Sequence, residues 1–325
     1  MMKRLLFPVL LTLTLLFNFS FASAQIEADP DIITFVAYWH KGEVRNYEIT
    51  KVRKKWENGL IDQVDSITYM AKFEVIDSTE KSYTIKWTHE NYLFKQYHLS
   101  QKSIEKLSEY KNIEVIYKTD ELGAFVEVEN WKEISEMTKK VFDELLQSKK
   151  GSERSKLKLK LQAIMMAYET KEGIEQIFFK ELHVFHTPLG GQFDSSKPLE
   201  YEEKLPNLLS GGFLRGDGKL TFTHVNKEDE FCVFEQELKL NGKDAKKMVL
   251  DFLEKMNLPE KELKTSIKKS SMNIEDFANY QYFYGYGLPL EIETRREIEM
   301  KLQNQDAKQI DAIFIKLIFD EEEEE

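Results

Sequence analysis

Leu290–Leu302 reads LEIETRREIEMKL. Leu290, Ile292, Thr294, Arg296, Ile298, Met300 and Leu302 alternate with Glu291, Glu293, Arg295, Glu297, Glu299 and Lys301. Successive side chains of an extended chain point to opposite sides, so a period of two gives a strand with one largely apolar face and one fully charged face. Gly285-Tyr286-Gly287-Leu288-Pro289 is a turn in front of it, and Ser266–Tyr284 holds one bent strand before the turn. Gln309–Phe319 is expected to be the hairpin partner on the other side. Antiparallel hairpins with one apolar face bury that face and leave the other in water.

The same pattern continues outward. Phe231–Leu240 is a strand closed by Asn241-Gly242, and Leu199–Leu205 is a short one that stops at Pro206. Arg215-Gly216-Asp217-Gly218-Lys219 is expected to turn a hairpin between Phe213 and Leu220, since glycine next to aspartate favours tight turns. Near the N-terminus Ile33, Phe35 and Ala37 share a strand face, and Val44–Val52 follows as a second strand. Trp56-Glu57-Asn58-Gly59 is an Asn-Gly turn. Ile67, Tyr69, Ala71, Phe73 and Val75 then alternate with polar residues up to Asp77-Ser78-Thr79-Glu80, and Tyr83, Ile85 and Trp87 answer them. Leu99–Tyr110 predicts a short helix, and Ile113–Lys118 with Ala124–Val128 predicts one more hairpin.

Between the two flanks the spacing becomes helical. Trp131, Ile134, Met137, Val141, Phe142 and Leu145 fit one helix face, with Asn130 as N-cap and Glu133 completing a loose capping box. Ser148–Ser155 (SKKGSERS) is expected to interrupt it. Leu157, Leu161, Ile164, Met165 and Tyr168 mark a second helix, and Ile174, Ile177, Phe178 and Leu182 a third, ended by Pro188. A further helix spans Asp244–Met256 before Pro259. Segregated strands and helices argue α+β rather than a parallel α/β sheet. The expected fold is a large curved antiparallel β-sheet, open and half-barrel-like, with the central helices packed on its concave face.

The chain has 325 residues, 42% hydrophobic and 12% aromatic, which is ample material for a core and excludes a disordered chain. One cysteine excludes a disulfide scaffold. A net charge of −11 argues against a nucleic-acid partner, which needs a basic face. Residues 1–24 have the three parts of a secretory leader: Lys3-Arg4, an apolar run from Leu5 to Phe19, and Ala22-Ser23-Ala24 as cleavage site. A retained N-terminal anchor is the competing reading, disfavoured because the run is short and the small residues favour removal. The chain is therefore expected to be secreted, periplasmic or extracellular, cleaved after Ala24 and not membrane-spanning once mature. Its expected division is 25–129 (antiparallel strands), 130–190 (helices), 191–319 (strands with one helix, joined to the first region) and an acidic tail, 320–325.

Chemistry is sparse in the sequence. No phosphate-binding glycine loop and no nucleophile elbow is present. Cys232, inside Phe231-Cys232-Val233-Phe234, is a packing residue on an apolar strand. His183 and His186 stand three apart and share a helix face, a weak metal-site pattern for which His224 is the candidate third ligand. The competing reading is a helix end that collects histidines near its negative dipole. Tyr280, Tyr282, Tyr284 and, beyond the turn, Tyr286 form a candidate ligand-binding ladder, against the plainer reading of a half-buried strand.

The leader, the meander Asp77-Ser78-Thr79-Glu80 with Tyr83-Thr84-Ile85-Lys86-Trp87, the helix start Asn130-Trp131 and the late Gly287-Leu288-Pro289 turn resemble secreted domain-of-unknown-function proteins of Bacteroidota. That resemblance implies a fold and no activity. The outline of strands and helices is also similar to the open half-barrel of periplasmic lipoprotein carriers of the LolA and LolB type. The leading expectation is a non-enzymatic envelope protein that binds a lipid or other apolar ligand in a groove between sheet and helices, with no cofactor. The alternatives are a hydrolase using dispersed carboxylates or a His183/His186 metal site, and a structural envelope module bound to a partner protein.

Overall fold

The computed structural model describes residues 31–319 except 176–178, 207–212, 256–264, 266 and 303–304. The predicted leader and the acidic tail lie outside them.

In chain order the elements are β1 (Ile32–Thr34), β2 (Val44–Glu57), β3 (Leu60–Thr79), β4 (Ser82–Glu90), α1 (Leu93–Gln96), α2 (Gln101–Lys106), β5 (Asn112–Asp120) and β6 (Phe125–Val128). The helices α3 (Trp131–Gln147), α4 (Gly151–Tyr168), α5 (Lys171–Gly173) and α6 (Lys180–His186) follow. The second half holds β7 (Gln192–Asp194), β8 (Leu199–Pro206), β9 (Phe213–Asn226), β10 (Phe231–Leu240), α7 (Gly242–Lys255), β11 (Ser271–Phe283), β12 (Leu288–Leu302) and β13 (Gln305–Ile318).

Eleven strands form one antiparallel sheet in the order β6-β5-β4-β3-β2-β13-β12-β11-β10-β9-β8. It is two meanders joined at their inner strands, where β2 pairs with β13. Among the described residues the sheet does not close, since β6 and β8 each have one partner. β1 and β7 pair separately. The β12 alternation holds as expected: Ile292, Ile298 and Met300 are fully buried on one face. That face, which also holds Arg296, is covered by helices, and the other carries Glu291, Glu293, Arg295, Glu297, Glu299 and Lys301.

Two apolar clusters lie under the helices. The larger joins the strands of the first half to α3 and α6, with Trp87, Phe142 and Phe185 fully buried. The smaller packs Ala245, Met248 and Val249 of α7 on Leu238, Ile274 and Ile298 of the sheet.

Several local expectations are corrected. Arg215–Lys219 is not a turn: β9 runs straight through it and pairs with β8 and β10 on its two sides. The glycines serve close packing instead. A Cβ on Gly218 would lie 2.2 Å from the Tyr201 ring, and one on Gly216 would lie 2.8 Å from Leu238. Tyr201 lies across the bare backbone, and its hydroxyl accepts a hydrogen bond from Gln236 at 2.6 Å. Gly218→Ala is therefore expected to destabilise by about 1–3 kcal/mol through overpacking. In a double-mutant cycle read from urea unfolding, combining it with Tyr201→Ala should cost less than the sum of the two singles.

Asn130 does not cap α3. Its Oδ1 accepts from the Ile116 amide at 2.9 Å and its Nδ2 donates to the Glu114 carbonyl at 2.8 Å, so it ties the helix start to β5. Gly151–Ser155 is helical, so only Ser148–Lys150 separates α3 from α4. In place of a single helix over Leu99–Tyr110 there is α2 followed by a 3-10 turn at Ser108–Tyr110. The expected strand at Ile33–Ala37 is regular only over Ile32–Thr34, yet Phe35, Ala37 and Trp39 still alternate inward. Part of the predicted third helix, 176–178, lies outside the described residues.

Candidate functional site

The helix α6 is short, runs up to Thr187-Pro188, and lies across the middle of the covered face near β12, β13 and β6. Its apolar residues Leu182, Val184 and Phe185 are buried in the larger cluster. Its first two residues, Lys180 and Glu181, meet two polar assemblies on the sheet.

The first assembly is a row of charges running across five strands. Asp65 is opposite Arg53, Arg53 opposite Asp311, Asp311 opposite Arg296, and Arg296 opposite Asp276. Charge alternates at every step, and directly opposed unlike charges are the favourable cross-strand arrangement. At the closed end Arg296 has no exposed side-chain surface, and its Nε and a terminal nitrogen donate to the two Asp276 oxygens at 2.6 and 2.7 Å. A planar guanidinium suits such a two-point contact. Toward the open end Arg53 Nε donates to Asp311 at 2.5 Å, and Gln309 donates to the other Asp311 oxygen at 2.5 Å.

On β10 to β13 this belt separates the two apolar clusters. Each strand passes from one cluster, through Gln236, Asp276, Thr294-x-Arg296 or Gln309-x-Asp311, into the other. A cavity of about 10 Å³ lined by Lys180, Gln236, Asp276, Thr294 and Arg296 adjoins it. That is close to the least volume that takes one water molecule. Burial lowers the Lys180 ammonium to about 8; Arg296 acts in the same sense, and Asp276 and Asp311 oppose it. Burial likewise lowers Lys55 to about 8, with Arg53 adding to the effect. Lys55 is only 6% exposed.

The second assembly surrounds Glu181, which is fully buried. It accepts from the Tyr69 hydroxyl at 2.8 Å and pairs with Lys51 at 2.8 Å. The Lys51 ammonium also lies 4.7 Å from the centre of the Tyr92 ring, a cation–π contact. Tyr92 stacks on Tyr69, and His89 lies against both rings.

The two histidines singled out from the sequence do not converge. His186 is buried, with one ring nitrogen 2.9 Å from the Tyr117 hydroxyl and the other 2.7 Å from the Gly123 carbonyl. His183 lies against the Phe125 ring, centroids 4.5 Å apart. His224 is exposed on β9 beside Phe231. Among the described residues no three His, Cys, Asp or Glu side chains are placed to hold a metal ion. Burial holds His186 down to about 3 and His89 down to about 4, both below the ordinary value of about 6.5. An unfolded chain protonates these rings near pH 6.5 and the folded one does so only far lower. Their contribution is thus complete above about pH 6.5 and is lost as pH falls toward 4, at up to about 1.4 kcal/mol per pH unit for each ring. Urea midpoints across that window are expected to fall, and His186→Gln should flatten the slope.

The tyrosine ladder is corrected as well. Tyr280 and Tyr282 have no exposed surface. Tyr280 stacks on Phe234 at 4.6 Å between centroids, and Tyr282 meets Phe35 edge-on at 5.2 Å. Tyr284 is half-buried, while Tyr286 is exposed and stacks on Phe283. The four do not share an open face, because Phe35 packs on Tyr282 and Tyr284 and Phe234 on Tyr280. The Val36 carbonyl lies 2.6 Å from where a Gly287 Cβ would stand. Cys232 is fully buried, and burial pushes its thiol up to about 12.

The sequence did carry a signal for the belt. The inward parity of Tyr47 and Ile49 continues to Lys51, Arg53 and Lys55, and that of Ile315 and Ile313 continues to Asp311 and Gln309. Charges on the inward parity of otherwise apolar strands mark it.

No protein-family model matches this chain, and no curated protein matches it. Among solved structures, an outer membrane channel from Pseudomonas putida F1 aligns over 90% of this chain and 100% of the channel, at 6% identity and a TM-score of 0.17. A score of that size carries no argument about fold or function. Among the described residues no helix is long and apolar enough to cross a membrane.

Proposed function

We propose that this protein is a secreted envelope binding protein that holds an anionic amphiphile, such as a fatty acid or acidic lipid, on the covered face of its sheet, without catalysis. In this reading the sheet bends round the central helices as an open half-barrel, like the lipoprotein carriers its outline resembles. The apolar part of the ligand takes the space now filled by Phe185, and its head reaches the belt. One observation carries the proposal. Within the belt Arg53, Lys55, Arg296 and Lys180 stand against Asp65, Asp276 and Asp311, between two apolar clusters of a chain whose net charge is −11. An apolar wall beside partly desolvated cations is the chemistry of an acyl chain with an acidic head.

The test uses residues 25–325 purified without detergent. Native mass spectrometry reads any co-purified lipid, and calorimetric titration with oleate reads binding. The proposal expects one oleate per chain. Near pH 8, where Lys55 and Lys180 are half-protonated, it also expects proton uptake on binding, because an anion raises their pKa. Lys55→Met with Lys180→Met should weaken oleate about tenfold, or about 1.4 kcal/mol. A bare mass with no oleate binding overturns the proposal, and so does binding that neither takes up protons nor responds to the two substitutions.

A further inference from the structure

The twenty-residue strand β3 is paired on both sides over only part of its length. β2 runs beside it from Leu60 to Glu74, whereas β4 pairs only with Ala71–Thr79. Leu60–Met70 therefore has a neighbour on one side and none on the other among the described residues. The reason is local. After Glu90 the chain leaves the line of β4 at Asn91. Asn91 Oδ1 accepts from the Leu93 amide at 3.2 Å and its Nδ2 donates to the Tyr110 carbonyl at 2.9 Å, which sends α1 onto the covered face. The position that an extension of β4 would occupy stays open for about 34 Å, at about 3.4 Å per residue.

The other two edges of this sheet are protected in ordinary ways. β6 has four residues, and β8 carries Glu200, Glu202, Glu203 and Lys204 and ends at Pro206. Short length, charge and proline are the usual means of blunting an edge. Leu60–Met70 (LIDQVDSITYM) contains no Lys, Arg or Pro. Leu60, Ile61, Val64 and Met70 are 76%, 63%, 56% and 50% exposed. A long, apolar, unpaired edge is the template used in recognition by strand addition.

We propose that Leu60–Met70 is a docking edge for an extended segment of a partner protein in which apolar residues alternate with Lys or Arg. The charges argue for this occupant over a second copy of the chain. A symmetric antiparallel pair centred on Asp65 sets Asp65 against Asp65, and like charges directly opposed are destabilising. Two chains of net charge −11 also repel. A basic partner strand places its cations on the face of Asp65 and its apolar side chains on the opposite face, beside Val64 and Met70, with the bulge at Asp62 near the end of the edge. The edge shares Asp65 with the exposed end of the belt and none of the residues varied in the amphiphile test, Lys55 and Lys180, so the two proposals fail separately.

The probe is a fluorescein-labelled peptide of about ten residues alternating valine, threonine and lysine. Anisotropy with residues 25–325 reads binding, and hydrogen exchange locates it. The proposal expects slowed exchange confined to Leu60–Met70. It expects about tenfold weaker binding after Val64→Lys, which tests the edge at an exposed side chain and leaves the core untouched. It also expects at least tenfold loss when the peptide is N-methylated at alternate residues, because that removes main-chain hydrogen bonds while keeping charge and apolarity. Equal binding of the N-methylated peptide overturns the proposal. Protection elsewhere overturns it too, as does protection of Leu60–Met70 that comes with protein concentration alone and marks self-association.

Discussion

Asp276→Ala is expected to lower the unfolding free energy by about 3–5 kcal/mol, the cost of removing one partner from a buried ion pair. The substitution takes the two-point acceptor from a guanidinium with no exposed side-chain surface, 2.6 and 2.7 Å from it. It also removes one of the two acids that oppose the lowering of the Lys180 ammonium. Most of the cost is the desolvation of Arg296 without compensation, not the worth of the pair. The contrast is Asp276→Leu with Arg296→Met, which removes both members of the buried pair and leaves Asp311 and Lys180 as the neighbouring charges of the layer. That double variant is expected to lie near the parent or to exceed it by about 1–4 kcal/mol. Urea midpoints of the parent, the single and the double variant measure both effects. A single variant as stable as the parent would mean that Arg296 finds other acceptors and that the belt is wetter than the geometry says.

Phe185→Ala is expected to cost about 3–5 kcal/mol, as for other buried aromatic truncations. The ring has no exposed surface and lies 5.1, 5.6 and 5.7 Å from the ring centres of Tyr47, Phe73 and Trp87. It is the main apolar anchor between α6 and the first meander, so its loss leaves a cavity lined by three rings of the sheet. Phe213, 65% exposed, is the control, and its truncation should stay within about 0.5 kcal/mol. Thermal unfolding followed by near-ultraviolet dichroism reads both, because Trp87 and Tyr47 beside Phe185 contribute to that signal. If the amphiphile proposal is correct, the variant should bind oleate at least as tightly as the parent despite its lower stability.

Much of the sheet was legible because burial on one face writes itself as alternation. β12, β10 and the β2–β3 turn at Asn58-Gly59 follow from residue type alone. β9 was misjudged because glycine has two uses. Gly216 and Gly218 are there for contact with Leu238 and Tyr201, and no local signal tells contact from turning. The start of α4 was missed because Gly151–Ser155 is polar all round and shows no apolar stripe. Tyr280 and Tyr282 looked like an open ladder since tyrosine suits half-buried strands. Tyr282 is covered by Phe35, more than 200 residues earlier in the chain, and Tyr280 by Phe234 of the neighbouring strand. The belt residues are visible by parity, but the pairing of Arg53 with Asp311 spans 258 residues, and nothing in either strand names the other.

The joining of the two meanders through β2 and β13 bears on how the molecule is made. The central seam of the sheet is the last to exist. When β2 leaves the ribosome or emerges across a membrane, its mate is still some 250 residues away. Until then β2 carries a bare flank inside what will become the core. Contacts this distant in sequence slow the final step and prolong exposure of unpaired strands. A chain shortened before Gln305 would lose its centre rather than a margin, and would leave two half-sheets joined only by the helices and the Phe35–Trp39 segment that lie across them.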